Sequence, residues 1–403
     1  MVRRVLSAML LVSAAVPGCQ AVAGIDDREL DPAWGKPAVV GTRTPPERPS
    51  GTAAPGGGDQ RRFIVRTVYL GTVDPQTDVE DSTAWRRIGY DLDGKCTTAE
   101  QSKSNNSGVC NKVTAAQEMA LEDGDDCRDN AGGRLMAFSA QFLSTGFEKN
   151  IQSQLDDARV SSLMLELDDL GGGPDDPYVP GRLYTSVPRP KAENSPIWNG
   201  SDEFYADTGS VESGDLKQPK YVFARGYLKG NVWVSGDLAD KPSKMPMMFY
   251  DRFLEVEPEA VVLTLELDEH HDKVKRSVLA AVMNVPRLTT VFLPVFYESI
   301  CSWQEATAMV YTVVAPNADL VSGSAPFVAP TKTCDAMSLG WMLRWEPFKR
   351  IAGVGTSPPR PSACGTDDAG AAGAAGASGD AGTDGSPQDA AGVLDAGEAG
   401  SDV

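Results

Sequence analysis

Apolar residues alternate with more polar ones along several stretches in the middle of this 403-residue chain. Leu163, Leu165 and Leu167 begin one such stretch, and the same period of two returns at 261–267 and at 337–345. Successive side chains of a strand point to opposite faces, so this pattern buries one face and leaves the other in water, as in antiparallel sheets. The pattern predicts a mainly β fold, which we interpret as an antiparallel β-sandwich of the jelly-roll or lectin-like kind.

Further strands are predicted at 62–70, 182–187, 221–228, 232–235 and 277–282, where turn-forming residues separate short apolar runs. Helical spacing is rarer. It predicts a helix over 135–155 that is broken near Gly146, a second helix after Pro286 and a third over 306–314. Many strands with few short helices favour the sandwich interpretation.

The chain begins with the features of an export signal. Arg3 and Arg4 precede an apolar run over 5–16, which is shorter than the ~20 residues that a transmembrane helix needs. The residues at 16–19 resemble a lipobox, so we predict a signal peptide over 1–18 and a lipid, palmitate included, on Cys19. Pro17 is an unusual residue in that motif. The rival interpretation is ordinary cleavage after Ala23, which would release a soluble protein.

Composition divides the rest of the chain into three parts. Residues 19–60 are rich in Pro and Gly, and we predict a lipid-anchored disordered tether. Residues 61–352 form the predicted β-sandwich domain. Residues 353–403 contain mainly Ala, Gly, Asp and Ser, and we predict a disordered acidic tail because they have little apolar surface to bury.

The formal net charge of −19 limits the partners of this protein. It argues against nucleic acid, which needs a basic face, and it favours cations. We expect contact with a membrane through the lipid, and a cell-surface glycan or an envelope protein as a partner. The expected location is the cell envelope, as an outer-membrane lipoprotein on the periplasmic or the outer side.

Seven cysteines occur, and Cys19 has a separate predicted role. An even number of cysteines in an exported chain indicates disulfides. We favour Cys96 with Cys110 and Cys301 with Cys334, because each pair brackets a polar or irregular stretch. The six disulfide candidates are Cys96, Cys110, Cys127, Cys301, Cys334 and Cys364.

Several segments resemble a group of secreted lipoproteins of myxobacteria that have no assigned biochemical role. The segments are Trp85, GYDLDGKCT at 89–97, DGDDCRDN at 123–130, WNG at 198–200 and CDAMSLG at 334–340. They stand in the expected order and cover most of 85–340. The resemblance implies an exported compartment and one folded unit, and it implies no activity.

The densest polar cluster is a candidate calcium site. Calcium takes about 6–8 oxygen ligands, and closely spaced carboxylates and amides supply them. The spacing does not match an EF-hand, and the alternative is a solvated loop whose Asp and Asn residues form turns and a helix N-cap. The candidate ligands are Asp91, Asp93, Asp123, Asp125, Asp129 and Asn130.

A second polar group suggests an enzyme. Glu266, Asp268 and His270 alternate on a predicted strand, as the carboxylates of sandwich-type retaining glycosidases do at about 5–5.5 Å. The third position is His270 rather than a carboxylate, and common hydrolase and nucleotide-binding motifs are absent. We therefore assign no catalytic residue. We favour a non-enzymatic binding or structural domain, with a glycan-binding lectin-like module and a glycoside hydrolase as alternatives.

Overall fold

The computed structural model describes residues 43–51, 58–115, 117–140, 146–189, 195–249, 252–323 and 325–358, together with Cys364. The predicted signal peptide, Cys19 and the tail beyond Cys364 lie outside the described residues. The strands are β1 (Asp59–Tyr69), β2 (Leu163–Leu170), β3 (Gly181–Thr185), β4 (Glu203–Asp207), β5 (Val211–Glu212), β6 (Asp215–Pro219), β7 (Tyr221–Phe223), β8 (Tyr227–Lys229), β9 (Val232–Val234), β10 (Met245–Phe249), β11 (Arg252–Val256), β12 (Ala260–Leu267), β13 (Val274–Asn284), β14 (Ala336–Pro347) and β15 (Arg350–Gly355). The helices are α1 (Ala99–Lys103), α2 (Ala131–Ser139), α3 (Phe147–Asp156), α4 (Val285–Ile300) and α5 (Trp303–Met309).

Nine strands form one antiparallel sheet in the order β7-β3-β2-β1-β14-β13-β12-β9-β8. Strands β7 and β8 are at opposite ends of this order, although they follow each other closely along the chain. Phe223 of β7 packs edge-on against Trp233 of β9, with ring centroids 6.0 Å apart. The sheet is therefore curled. The mainly β antiparallel fold with a few short helices is confirmed, and its main strands form one curled sheet instead of two separate stacked sheets.

Both faces of the sheet are apolar. Leu163, Leu165 and Leu167 face the main core, as the alternation predicts. The prediction that the other face is wet is wrong, because Met164 and Met342 on that face are buried too. Helix α3 packs on β1, α2 packs on β14, and the parallel pair of β4 and β15 adds a second apolar cluster with Met164. Strand β15 ends at Gly355, three residues beyond the predicted domain boundary.

The helices lie close to where periodicity predicts them. Gly146, with φ of 78°, is the N-cap residue of α3, where glycine adopts the left-handed backbone easily. Asn284 caps α4, and its side chain accepts a hydrogen bond from Arg287 N at 3.1 Å. Helix α5 continues as a π-helical turn over Val310–Val314. No helix among the described residues has the length and hydropathy to span a membrane.

Residues 43–51, which we name the strap, lie in the predicted tether but contact the folded domain. The Arg43 carbonyl accepts a hydrogen bond from Asp91 N at 2.9 Å. Further along, Tyr227 Oη donates to the Pro46 carbonyl at 2.6 Å, and Arg48 donates to the Pro177 carbonyl at 3.0 Å. The tether prediction therefore needs correction over this segment, because backbone carbonyls and arginines supply contacts that apolar burial does not.

The disulfide pairs differ from the two that we favoured. The structure pairs Cys96 with Cys127 and Cys110 with Cys334. Cys301 and Cys364 are disulfide-bonded as well. The choice of pairs close in sequence was wrong because segments far apart in the chain meet in the fold, as where Asn111 bridges Thr333. Several disulfides indicate an extracellular or envelope location.

Candidate cation site

Two acidic loops, residues 91–97 and 123–130, lie against each other. The disulfide between Cys96 and Cys127 joins them. Two backbone hydrogen bonds add to it, from Asp123 N to the Thr97 carbonyl at 3.0 Å and from Asp129 N to the Tyr90 carbonyl at 2.9 Å. The loops bring four buried carboxylates together, and Asp319 from elsewhere in the chain joins them. We name these five residues the acidic centre: Asp91, Asp93, Asp123, Asp129 and Asp319.

The second loop folds back on itself. Gly124 N donates to the Arg128 carbonyl at 2.8 Å, which closes the base of the loop. Asp126 and Cys127 at its tip have φ values of 55° and 63°, an uncommon conformation for residues with a side chain. The Arg128 guanidinium pairs with the Asp126 carboxylate at 2.8 Å. This narrow loop brings Asp123 and Asp129, at its two ends, to the same centre.

Backbone N–H groups hold one oxygen of each loop carboxylate. The acceptors are Asp91, Asp93, Asp123 and Asp129, and their respective donors are Gly94 at 2.7 Å, Lys95 at 2.7 Å, Thr97 at 2.6 Å and Leu92 at 2.6 Å. Within the described part of the chain, no hydrogen-bond donor reaches the other oxygen of Asp93, Asp123 or Asp129. The backbone thus orients the four carboxylates and leaves one oxygen of these three for another partner.

The geometry of three carboxylates fits one cation. Oxygens of Asp91, Asp93 and Asp129 all lie within 4.8 Å of one another. Two ligands on opposite sides of one calcium ion, each at about 2.3–2.6 Å, are about 5 Å apart. The three oxygens can therefore bind one ion together, with hard oxygen ligands of the kind that calcium prefers.

Burial and mutual repulsion raise the pKa values in the acidic centre. Loss of hydration, with the charges of Asp91 and Asp319, raises the pKa of Asp93 to about 6. Loss of hydration, with the charges of Asp93 and Asp319, raises the pKa of Asp123 to about 8. The same causes hold the pKa of Asp129 well above its usual range. Burial away from a countercharge favours the protonated form of these carboxyl groups, and a bound cation would favour the ionised form.

The bases near the centre are too few to neutralise it. The Arg134 guanidinium acts on Asp123 and Asp319, but it donates its hydrogen bonds to the backbone carbonyls of Glu122 and Ala120. Arg43 of the strap lies 3.9 Å from an oxygen of Asp91. Ionised carboxylates therefore outnumber the guanidinium groups, and a divalent cation would relieve the excess negative charge.

Two members of this environment were missed by sequence reasoning. Both oxygens of Asp319 accept hydrogen bonds from Ser338, from its N–H at 2.8 Å and its hydroxyl at 2.5 Å, and burial raises the pKa of Asp319 to about 6. The hydroxyl of Thr97 is buried and has no partner among the described residues. The sequence around Asp319 does not predict a site, because Asp319 comes close to the two loops only in the folded chain. The sequence also gave no indication of a role for the Thr97 hydroxyl.

Two of the six predicted ligands do not face the centre. Asp125 is exposed to solvent. Asn130 is the N-cap of α2: its side-chain oxygen accepts from Gly133 N at 2.9 Å and Gly340 N at 2.8 Å, and its amide donates to Trp85 O at 3.2 Å. The turn-and-cap interpretation is therefore correct for Asn130, whose polar atoms are already engaged. The predicted ligand set reduces to Asp91, Asp93, Asp123 and Asp129.

The residues considered for a glycosidase have structural partners. Glu266 pairs with Arg276 across β12 and β13 at 2.5 Å. Asp268 accepts hydrogen bonds from the backbone N–H groups of Asp272 at 2.7 Å and Lys273 at 3.2 Å. His270 follows in the same turn, which connects the two strands. These contacts fit a charged strand end, and a non-enzymatic role stays a prediction.

Comparison of the chain with models of protein families, with curated proteins and with solved structures finds no match. The resemblance to myxobacterial lipoproteins therefore stays a prediction. The function is argued below from the chemistry of the site and from the sequence.

Proposed function

We propose that this chain is a lipid-anchored protein of the cell envelope, held at the outer membrane through Cys19, whose β domain has a non-enzymatic binding or structural role. The disulfides support an exported domain. The proposed anchor and membrane rest on the sequence of the first 19 residues. We further propose that calcium in the acidic centre holds the two acidic loops in a fixed arrangement, ready to bind a glycan or an envelope protein.

One observation carries the calcium proposal: three buried carboxylates have oxygens within 4.8 Å of one another. A backbone N–H donates to each of these three carboxylates and orients it. A second observation is the buried hydroxyl of Thr97, which has no partner among the described residues; the backbone N–H of the same residue donates to Asp123 at 2.6 Å. Buried polar atoms normally have partners, so this environment favours an additional polar occupant.

Calcium titration of the purified protein, followed by thermal melting and calorimetry, tests this proposal. A ligand that binds only the folded state stabilises it by about 2.7 kcal/mol at a hundred times its dissociation constant. We expect calcium to raise the melting temperature relative to chelator, and Asp129→Asn to abolish the rise. Asp125→Asn is the matched control, because Asp125 is exposed and lies outside the centre. Identical melting curves of the wild type in calcium and in chelator would refute the proposal.

Glycan binding is a second candidate, and one exposed tryptophan favours it. Trp303 is 44% exposed, whereas Trp233 and Trp345 are buried. Its ring stacks on Tyr297 with centroids 4.2 Å apart and an interplanar angle of 13°. Ser302 caps the helix at this corner by accepting from Glu305 N at 3.3 Å. A fixed, flat aromatic face is suited to stacking on a sugar ring.

A glycan array with the wild type and two variants tests this candidate. We expect any glycan signal to disappear in Trp303→Ala and to persist in Tyr205→Ala, which removes another exposed aromatic on β4. A signal that survives in Trp303→Ala would place glycan binding elsewhere, and no signal in any form would exclude it for the glycans on the array.

A further inference from the structure

Arg43, at the start of the strap, lies at the edge of the acidic centre. Its Nη1 is 3.9 Å from Asp91 Oδ2, whereas the Gly94 N–H donates to Asp91 Oδ1. Its Nε donates to the Asp126 carbonyl at 3.4 Å, and its guanidinium also contacts the sulfur of Cys127. The guanidinium thus reaches both acidic loops from a third segment of the chain.

The rest of the strap holds Arg43 in this position. The Arg43 carbonyl accepts from Asp91 N, so the backbone of the strap is fixed next to the carboxylate that its side chain faces. Arg48 provides the second attachment: it donates to the carbonyls of Pro177 and Arg225 and lies over the ring of Tyr227, 4.4 Å from its centroid. The strap is therefore attached to the domain at two places, through the Arg43 backbone and through the Arg48 side chain.

We propose that Arg43 is a built-in competitor of the cation, so that the strap sets the calcium affinity of the acidic centre. This inference rests on the proposed function of that centre. A guanidinium and a calcium ion cannot both lie close to Asp91 Oδ2 without mutual repulsion. When calcium binds, the Arg43 side chain turns away into solvent, because 47% of it is already exposed. The backbone hydrogen bond to Asp91 does not depend on that movement.

The competition is expected to be modest. The Arg43 side of this pair is exposed to solvent, so we take the contribution of a surface ion pair, about 0.2–1 kcal/mol, and removing the guanidinium should tighten calcium binding about 1.5- to 5-fold at low salt. Salt screens interactions between exposed charges. The difference in calcium affinity between the wild type and a variant without the guanidinium should therefore narrow as ionic strength rises. Arg43→Lys, which keeps a charge at this position, should retain most of the competition.

Calorimetric calcium titration of the full chain tests the proposal with three variants. Arg43→Gln should bind calcium more tightly than the wild type. Arg48→Gln should show a smaller gain, because it loosens the far attachment of the strap and leaves the Arg43 charge in place. Arg159→Gln is the matched control: it removes one equally positive side chain, which pairs with Asp157 at 2.7 Å, and should leave the affinity unchanged.

The outcomes separate this inference from the proposed function. Tighter binding in Arg43→Gln alone, or in graded order with Arg48→Gln, supports competition. Equal or weaker binding in Arg43→Gln, while the wild type binds calcium, overturns the inference and leaves the calcium site intact. No binding in any variant overturns both.

Discussion

In the proposed calcium site, the carboxylates of the acidic centre serve two roles at once. One oxygen of Asp91 and one of Asp93 close local turns by accepting from the N–H groups of Gly94 and Lys95, as Asp commonly does in loops. An oxygen of each of these two residues also lies close to one from Asp129. Turn formation and cation binding are therefore not alternatives here, because the two oxygens of a carboxylate can serve different partners.

Four of the five acidic residues were predictable, since they lie in two short segments with few bases. Asp319 was not, because it is about 190 residues away in sequence and joins the centre through its bonds to Ser338 of β14. Asn130 was wrongly predicted to be a ligand. In sequence, an Asn that caps a helix looks the same as an Asn that binds a metal. Sequence shows which residues can bind a cation, and only the fold shows which oxygens are free.

The raised pKa values predict how stability depends on pH without calcium. Asp93, Asp123 and Asp319 have pKa values of about 6, 8 and 6 in the folded chain, whereas an unfolded Asp titrates near about 3.9. Between these limits the folded state binds more protons than the unfolded state. The free energy of unfolding should therefore fall as pH rises from about 4 to about 8. Glu148, with a pKa of about 7, contributes in the same direction.

Thermal melting in chelator at several pH values between 4 and 8 measures this dependence. Saturating calcium should weaken it or reverse it, because the ion binds the deprotonated carboxylates. Asp123→Asn should flatten the profile in chelator by removing the group with the pKa of about 8. A profile in chelator that rises with pH over this range would contradict the assignment.

At the scale of elements, apolar periodicity predicted the long strands and the main helices. β2, β12 and β14 lie where the alternation indicates, because a period of two fixes which side of a strand is buried. The short strands β4, β5 and β6 were missed, and the single strand predicted over 221–228 is two short strands, β7 and β8. The order of strands and the curl of the sheet depend on pairing between distant segments, which a local pattern does not contain.

Loss of the two disulfides should have different effects, one mainly on calcium binding and the other mainly on the free energy of unfolding. Cys96–Cys127 joins the two acidic loops, whereas Cys110–Cys334 connects segments 224 residues apart. Replacing Cys96 and Cys127 with Ser should weaken calcium binding, because the loops lose their cross-link. Replacing Cys110 and Cys334 should lower the free energy of unfolding by about 2–5 kcal/mol and preserve calcium binding. Calorimetry and urea denaturation of both variants make the comparison, and equal loss of calcium affinity would contradict it.

At the scale of the whole molecule, the folded part extends beyond the boundaries that composition gave. The strap contacts the domain from residue 43, and β15 continues to Gly355. Composition missed the strap because prolines and arginines can dock through carbonyls and charges without an apolar run. It missed the end of β15 because that strand pairs with β4, about 150 residues earlier in the chain.

Truncated forms of the chain test separately how each flank contributes to stability. Removing 365–403 should leave the melting temperature unchanged, since the cut falls after Cys364 and spares every described contact. Starting the chain at 58 instead of 43 should lower the melting temperature, because the hydrogen bonds of Pro46 and Arg48 are lost. Arg48→Ala is the single-site version and should show part of that loss. An unchanged melting temperature without the strap would mean that its contacts do not contribute to stability.

The lipid anchor is the prediction that decides where the acidic centre works. Cys19 follows a signal-like start, and the strap begins at Arg43, so an anchor at Cys19 would keep the domain and its Arg43 end near a membrane. A multiply acylated cysteine holds a protein firmly, at about 0.8 kcal/mol for each buried CH₂. We expect Cys19→Ser to abolish acylation, detected by mass spectrometry, and to shift the protein from the membrane to the soluble fraction. Gln20→Ser is the matched control and should remain with the membrane. A wild-type protein that is soluble and begins at Gly24 would instead show ordinary cleavage after Ala23, and the acidic centre would then act on partners free of any membrane.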